Sequence, residues 1–383
     1  MTKLNYFHKY LLTLVMFKKK IEGKNARPRI LVAPLNWGLG HATRCIPVIK
    51  ELINNGCEVL IAAEGPCFSL LQNEFPELRH LSIPAYNMHY SRRRSFFTLT
   101  ILSQLPKLLL AICKEHSWLK KVVRKEGIDA VISDNRFGLY HRTIPSIYIT
   151  HQLLIKTGNT FTEKIAQRIH YRFIKKYTAC WVPDMEQEPS LAGKLSHPDK
   201  LPATIVNYIG CLSRFEKIPA IEKKYALLII ISGPEPQRTI FENIILQQLP
   251  LFNGTVLLLR GLPADLPVDN EQNDTVQIIN HLSAAALNTA IQQAGIVISR
   301  SGYTTILDLV KLQQKAILVP TPGQTEQEYL AAHLSAQKIV YTLEQDNFLL
   351  NEALKDAERF SFAIPFYDME QYKRTVREFV AQL

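Results

Sequence analysis

His41 is the residue near the head of the chain whose type and setting suit chemistry. It ends the run Asn36-Trp37-Gly38-Leu39-Gly40-His41, after the apolar stretch Ile30-Leu31-Val32-Ala33 and before Ala42-Thr43-Arg44. An imidazole at the carboxyl end of a strand and the start of a helix stands where open α/β proteins bind ligands, and it suits general-base work near neutral pH. The glycines let the backbone turn tightly, and the helix start offers free N–H groups. The plainer alternative is that His41 only caps its helix. Asp134, at the end of Val131-Ile132-Ser133-Asp134, is a reserve base or a group that orients His41.

A second set lies near residue 300. Ser299-Arg300-Ser301-Gly302 ends an apolar strand and opens a helix, with Thr304, Thr305 and Asp308 following. Hydroxyls and backbone amides at such a terminus suit a diphosphate, and Asp308 suits ribose hydroxyls. The nearby run from Val319 through Gly323, Gln324, Gln327 and Glu328 places polar side chains beside it, as a sugar would require. A third turn, Ser232-Gly233-Pro234-Glu235-Pro236-Gln237-Arg238, would let Arg238 reach a phosphate. A turn plus a helix cap explains each segment singly, but explains less well why two stand at the ends of neighbouring strands. The turn before His41 is not G-x-G-x-x-G and lacks a ribose-reading acid, which disfavours a nicotinamide dinucleotide.

Positioning these residues takes alternating strands and helices. Strands are expected at 29–33, 58–63, 78–83, 129–133, 146–150 and 179–182, then at 227–231, 256–259, 275–279, 296–299 and 316–319. A helix at 41–54 would bury Ile46, Ile49, Leu52 and Ile53 and stop at Gly56. This is the pattern of parallel sheets built from βαβ units. The 383 residues exceed one hydrophobic core. The division expected is an extension at 1–27, a domain at 28–215 and a domain at 216–383, with the last helix free to pack back on the first domain.

Charge is divided unevenly: the net +11 splits into +17 for residues 1–180 and −6 for the rest. A basic half suits a phosphorylated ligand, an anionic membrane or nucleic acid. No recognition helix or stacking motif supports nucleic acid. The plainer reading takes Lys120, Lys121, Arg124 and Lys125 as a solvated helix end. Segment 86–112 breaks the rhythm: Arg92, Arg93, Arg94, Phe96 and Phe97 precede an apolar helix-like run from Leu99 to Ile112. Cations and aromatics beside apolar residues suit lipid headgroups, and the alternative is a long loop with a core helix. The apolar run Tyr10–Phe17 is too short to span a bilayer and reads as a surface anchor or a disordered extension. The six cysteines lack metal-ligand spacing and read as reduced thiols of a cytosolic protein.

These motifs together resemble the glycosyltransferase B-fold, specifically family 28, which includes the peptidoglycan N-acetylglucosaminyltransferase and galactolipid synthases. The likeness covers residues 29–360 and is most specific at Arg300, Ser301, Gly302, Asp308, Val319, Pro320, Gln324, Gln327 and Glu328. His41 matches the family's terminal loop histidine. Asp308 replaces the family's usual Glu, and Gly233-Pro234-Glu235-Pro236 replaces a glycine-serine phosphate loop.

The resemblance implies two Rossmann-like domains facing a cleft and an inverting transfer with no metal or other cofactor. The donor, a UDP-sugar, would lie on Ser232, Gly233, Arg238, Arg300, Ser301, Gly302, Thr304, Asp308, Gln324, Gln327 and Glu328, with His281 or Leu282 near the base. Arg300, Arg238 and the amides near Ser301 would stabilise the leaving diphosphate. The acceptor, lipid-linked or phosphorylated, would meet Asn36, Gly38, Gly40, Arg44 and His151 at the cytoplasmic face of a membrane. Two rivals remain: Gly40-His41-Ala42-Thr43-Arg44-Cys45 also resembles the turn of a nucleotide-sugar hydrolase of the same fold, and a non-catalytic sugar-nucleotide-binding subunit would keep the binding residues alone.

Overall fold

The structure, a computed structural model, describes residues 27–86, 97–262 and 275–383, with backbone only for 97–105. The chain divides into two compact units: residues through Leu212 together with Asp368–Leu383, and Ser213–Tyr367.

The first unit runs β1 (Arg29–Pro34), α1 (Leu39–Asn54), β2 (Glu58–Ala63), α2 (Gly65–Glu74), β3 (Arg79–Ser82), α3 (Phe97–Glu126), β4 (Ala130–Asp134), β5 (Ser146–Ile149), α4 (Thr160–Ile174), β6 (Ala179–Val182) and β7 (Ile205–Tyr208). Its seven strands pair in parallel in the order β3-β2-β1-β4-β5-β6-β7. The central strands β1, β4 and β5 are buried almost end to end, because helices cover both faces of a parallel sheet. That is why they read as unbroken apolar runs.

The order reverses between β1 and β4, where Pro34 stands beside Asp134. This is the switch point at which two loops diverge and leave room for a ligand. Gly38 turns the chain there with a φ of 88°, a conformation that strains any residue with a Cβ. α1 then buries Ile46, Ile49 and Leu52, while Ile53, expected on the same face, is 38 % exposed.

The second unit runs β8 (Tyr225–Ile230), α5 (Gln237–Gln248), β9 (Val256–Leu259), β10 (Val276–Ile279), α6 (Ala284–Gln293), β11 (Ala294–Ser299), α7 (Tyr303–Lys311), β12 (Ala316–Leu318), α8 (Thr325–Ala336), β13 (Tyr341–Thr342) and α9 (Leu350–Arg359). Its six strands are also parallel, in the order β10-β9-β8-β11-β12-β13. The core joins Leu227, Ile229, Ile298 and Ile317 from the sheet to Phe241 and Ile245 of α5.

A last helix, α10 (Gln371–Val380), packs on the first unit. Its Phe379 meets Trp181 edge-on at 5.4 Å, and Gln371 Nε2 donates to the Tyr208 carbonyl at 2.9 Å. Val376 and Phe379 are buried, each contributing about 1.5–3 kcal/mol.

The segment read as a helix-like run from Leu99 to Ile112 belongs to a 30-residue helix that continues to Glu126, because Trp118, Leu119, Val122 and Val123 carry its apolar face onto the sheet. The edge strand β7, paired with β6, lies outside the expected strands. Lys120, Lys121, Arg124 and Lys125 are exposed on the last turns of α3, where cations complement the helix dipole. Residues Arg92, Arg93, Arg94 and Phe96, like Tyr10–Phe17, lie outside the described residues; Phe97 opens α3.

Candidate active site

At the switch point of the first unit the sequence places a titratable cluster. His41 is the third residue of α1, its side chain 15 % exposed, and its Nδ1 lies 2.6 Å from Asp134 Oδ1 at the end of β4. Asp134 is wholly buried, and its main-chain carbonyl accepts from Leu35 N, which ties the strand end to the loop before His41.

Beneath them Arg44, one turn along α1 and also buried, binds the same carboxylate through Nε and through Nη2 at 2.5 Å. Its Nη1 donates to His151 Nδ1 at 3.0 Å, and its Nη2 is 2.9 Å from His41 Nδ1. Burial alone would raise the Asp134 carboxyl, but Arg44 and His41 outweigh it and hold the group at about 2. Asp134 is therefore a permanent anion at neutral pH. An anion can only accept, so the short contact places a proton on His41 Nδ1 and leaves the lone pair of Nε2 to take another.

Cys45, the neighbour of Arg44, is a buried thiol pushed up by burial and by Asp134, so it is no thiolate nucleophile. Of the other loop residues, Asn36 and Gly40 are half-buried and Gly38 is exposed.

A second buried ion pair supports this edge. Arg136 Nε donates to Glu115 Oε1 of α3 at 2.5 Å, and Glu115 Oε2 accepts from the Tyr86 hydroxyl at 2.6 Å and from Gly138 N at 2.7 Å. The loop after β4 is thus clamped to α3 and to the exit from β3. Sequence reading missed this pair, because a Glu within a basic helix carries no local signal.

The second unit brings its polar residues to the carboxyl edges of β8, β11 and β12. Gly302 is the N-cap of α7, and the Ser301 hydroxyl donates to the Gln327 carbonyl at 2.9 Å. Gln327 Oε1 accepts from Thr321 N and its Nε2 donates to Gln324, while Glu328 accepts from Gly323 N. These side chains shape the β12–α8 loop. Thr304 is half-buried in the first turn of α7, His281 and Leu282 lie on the loop between β10 and α6, and Ser232 and Gly233 follow β8.

Two expected phosphate contacts are engaged elsewhere. Arg238 is buried and donates to Glu235, Glu242, Thr239 and the Arg260 carbonyl. Arg300 is buried with its guanidinium 4.3 Å over the Phe241 ring, and donates to the carbonyls of Gln237, Val319 and Pro320 and to Gln345. Both cations hold loops in place rather than facing outward.

Asp308, read as a ribose contact, is buried on the second turn of α7 and accepts from the Ser213 hydroxyl at 2.5 Å. Burial pushes its carboxyl up to about 7, against the opposing pull of Ser213, Arg214 and Lys311. A ribose hydroxyl reaching that oxygen has to displace Ser213.

The structure adds one residue that the sequence did not mark. Thr321 is buried, and its hydroxyl has no hydrogen-bond partner among the described residues. It sits beside Gly233, where a Cβ would lie 3.5 Å from it. A buried hydroxyl without a partner costs roughly 1–3 kcal/mol, a cost that a water or a ligand at this edge would offset. Among the described residues no group of His, Cys, Asp and Glu could hold a metal ion.

Comparison with known proteins relates this arrangement to glycosyltransferases. Residues 239–382 match the model of the glycosyltransferase family 28 C-terminal domain. An uncharacterised glycosyltransferase of Methanopyrus kandleri is 21 % identical over 307 residues, covering 76 % of this chain and 83 % of that protein. Among solved structures, MurG of Acinetobacter baumannii superposes with a TM-score of 0.52 at 12 % identity, over 94 % of this chain and 100 % of that one. A spinosyn rhamnosyltransferase, SpnG, solved with thymidine diphosphate gives a TM-score of 0.57 at 15 % identity, over 92 % and 95 %. The chain has the fold of these glycosyltransferases, and its residues 239–382 resemble the family 28 C-terminal domain.

Proposed function

We propose that the chain transfers a sugar, with inversion, from a UDP-sugar bound to the second unit onto a lipid-linked or phosphorylated acceptor bound to the first, at the cytoplasmic face of a membrane. The observation that carries the catalytic half of this reading is the 2.6 Å contact between His41 Nδ1 and the ionised Asp134. As the acceptor hydroxyl attacks the anomeric carbon, His41 Nε2 takes its proton and the bond to the diphosphate breaks. Asp134 stabilises the imidazolium so formed.

Arg44 and His151 act beneath this pair: Arg44 fixes the carboxylate, and His151 fixes Arg44. The donor half rests on the N-terminus of α7 at Gly302, the loop at Gly233 and the unpartnered Thr321 hydroxyl, whose N–H and O–H groups suit a diphosphate. The likeness to a fold neighbour solved with thymidine diphosphate supports a nucleoside diphosphate here.

Assay of the purified chain with UDP-, dTDP-, GDP- and CDP-sugars tests this reading. Thermal stabilisation by one nucleotide, and nucleotide release only when a lipid-linked or phosphorylated acceptor is added, is the expected result. Release of free sugar without an acceptor would instead support the hydrolase that Gly40-His41 and Arg44-Cys45 also resemble. Nucleotide binding without turnover on any acceptor would support a non-catalytic subunit.

A further inference from the structure

Helix α4 leaves β5 through the loop that carries His151, so it begins at the carboxyl edge of the sheet and runs back along it. Asn159 caps it, its side chain accepting from Phe161 N and Thr162 N. One face is held to the unit by the buried His170 and Ile174.

The other face has an unusual composition. After Thr160, its exposed residues are Phe161, Lys164, Ile165, Arg168, Ile169 and Arg172. Phe161 is 70 % exposed, Ile165 42 % and Ile169 40 %. They stand four apart, forming one apolar stripe roughly 12 Å long, and the cations three residues after each lie alongside it. The helix's single acidic residue, Glu163, is buried and pairs with Lys156. None of Lys164, Arg168 and Arg172 forms an ion pair among the described residues.

We infer that this outer face of α4 is a docking surface for an anionic lipid bilayer, an inference that rests on the membrane-face reading of the acceptor. The stripe inserts at the headgroup boundary while the cations meet lipid phosphates, which is how interfacial helices combine apolar area with charge. A second copy of the chain is a poorer occupant, because a two-fold pairing would set the same cations against each other. Docking there also brings the edge carrying His151 and His41 toward the lipid, since Phe161 lies on the first turn after that edge.

Co-sedimentation of the full chain tests it, using phosphatidylcholine vesicles with and without about one third phosphatidylglycerol. Two triple variants are compared with the native chain: Phe161→Ser with Ile165→Ser and Ile169→Ser, and Lys164→Gln with Arg168→Gln and Arg172→Gln. The native chain should bind acidic vesicles only, and each variant should bind about tenfold or more weakly while keeping its thermal stabilisation by nucleotide. Native binding that survives in both variants would overturn the α4 assignment and leave the membrane reading to Arg92, Arg93 and Arg94. Absence of native binding to either vesicle, with turnover on a soluble acceptor, would overturn the membrane reading as well. A dimer that the serine variant converts to monomer, without vesicle binding, would assign the face to a second copy.

Discussion

The two units hold their polar groups in opposite ways. At the edge of the first, Arg44, Asp134, His41 and His151 satisfy one another in a buried set, with opposite charges in contact before any ligand arrives. At the edge of the second, the cations Arg238 and Arg300 are turned inward to hold loops, while the Thr321 hydroxyl has no partner among the described residues. A preassembled ion set fits proton transfer, where the field has to be in place beforehand. An open edge of amides and a lone hydroxyl fits recognition, where the ligand supplies the missing partner. The contrast makes the two regions separable by mutation.

The largest effect should come from breaking the first set. Asp134→Ala leaves Arg44 buried without its anion and should destabilise the protein by about 3–5 kcal/mol, read by urea denaturation. In the native chain the folded pKa of Asp134 lies below that of the unfolded chain. Its contribution is therefore present above pH of about 4 and is lost as pH falls through about 2. A mild, pH-independent loss in Asp134→Ala would mean that the set is not preassembled.

The second unit has a carboxyl with the opposite sign. Asp308 is raised to about 7, so its stability is present below about pH 4 and is lost as pH rises through 7. Relative to the native chain, Asp308→Asn should gain roughly 2–4 kcal/mol between pH 4 and 8. Denaturation curves at the two ends of this range check the sign, and a constant difference would show that Asp308 ionises normally.

His41→Ala should lower turnover by about 100-fold or more at unchanged nucleotide affinity. Near-native turnover would pass the role of base to another group. Thr321→Val should have the smallest effect and the most specific one. It should leave the free protein as stable or slightly more so, and weaken nucleotide binding by about 1 kcal/mol. Loss of stability without loss of affinity would make Thr321 a packing residue.

Most strands were legible because helices on both faces force unbroken apolar runs, as in Ile30–Ala33 and Val131–Ser133. β7 was not, since Ile205–Tyr208 is a half-buried edge among prolines. The apolar run and the lysine-bearing end of α3 were legible only as separate pieces, because its carboxyl half mixes lysines with a narrow apolar stripe. At the site, His41 and Asp134 stood out through their places at strand ends. The inward turn of Arg238 and Arg300 did not, because a guanidinium after a glycine turn reads the same whether it faces a phosphate or a carbonyl. Thr321 carries no pattern at all; its lack of a partner is a property of the packed chain alone.

Calorimetric titration of UDP into the native chain, His41→Ala and Thr321→Val tests the central separation most directly. Affinity within about twofold of native for His41→Ala, beside a loss of roughly fivefold for Thr321→Val, is the predicted result. A His41→Ala variant that loses UDP binding while Thr321→Val retains it would place the nucleotide on the first unit and contradict the account.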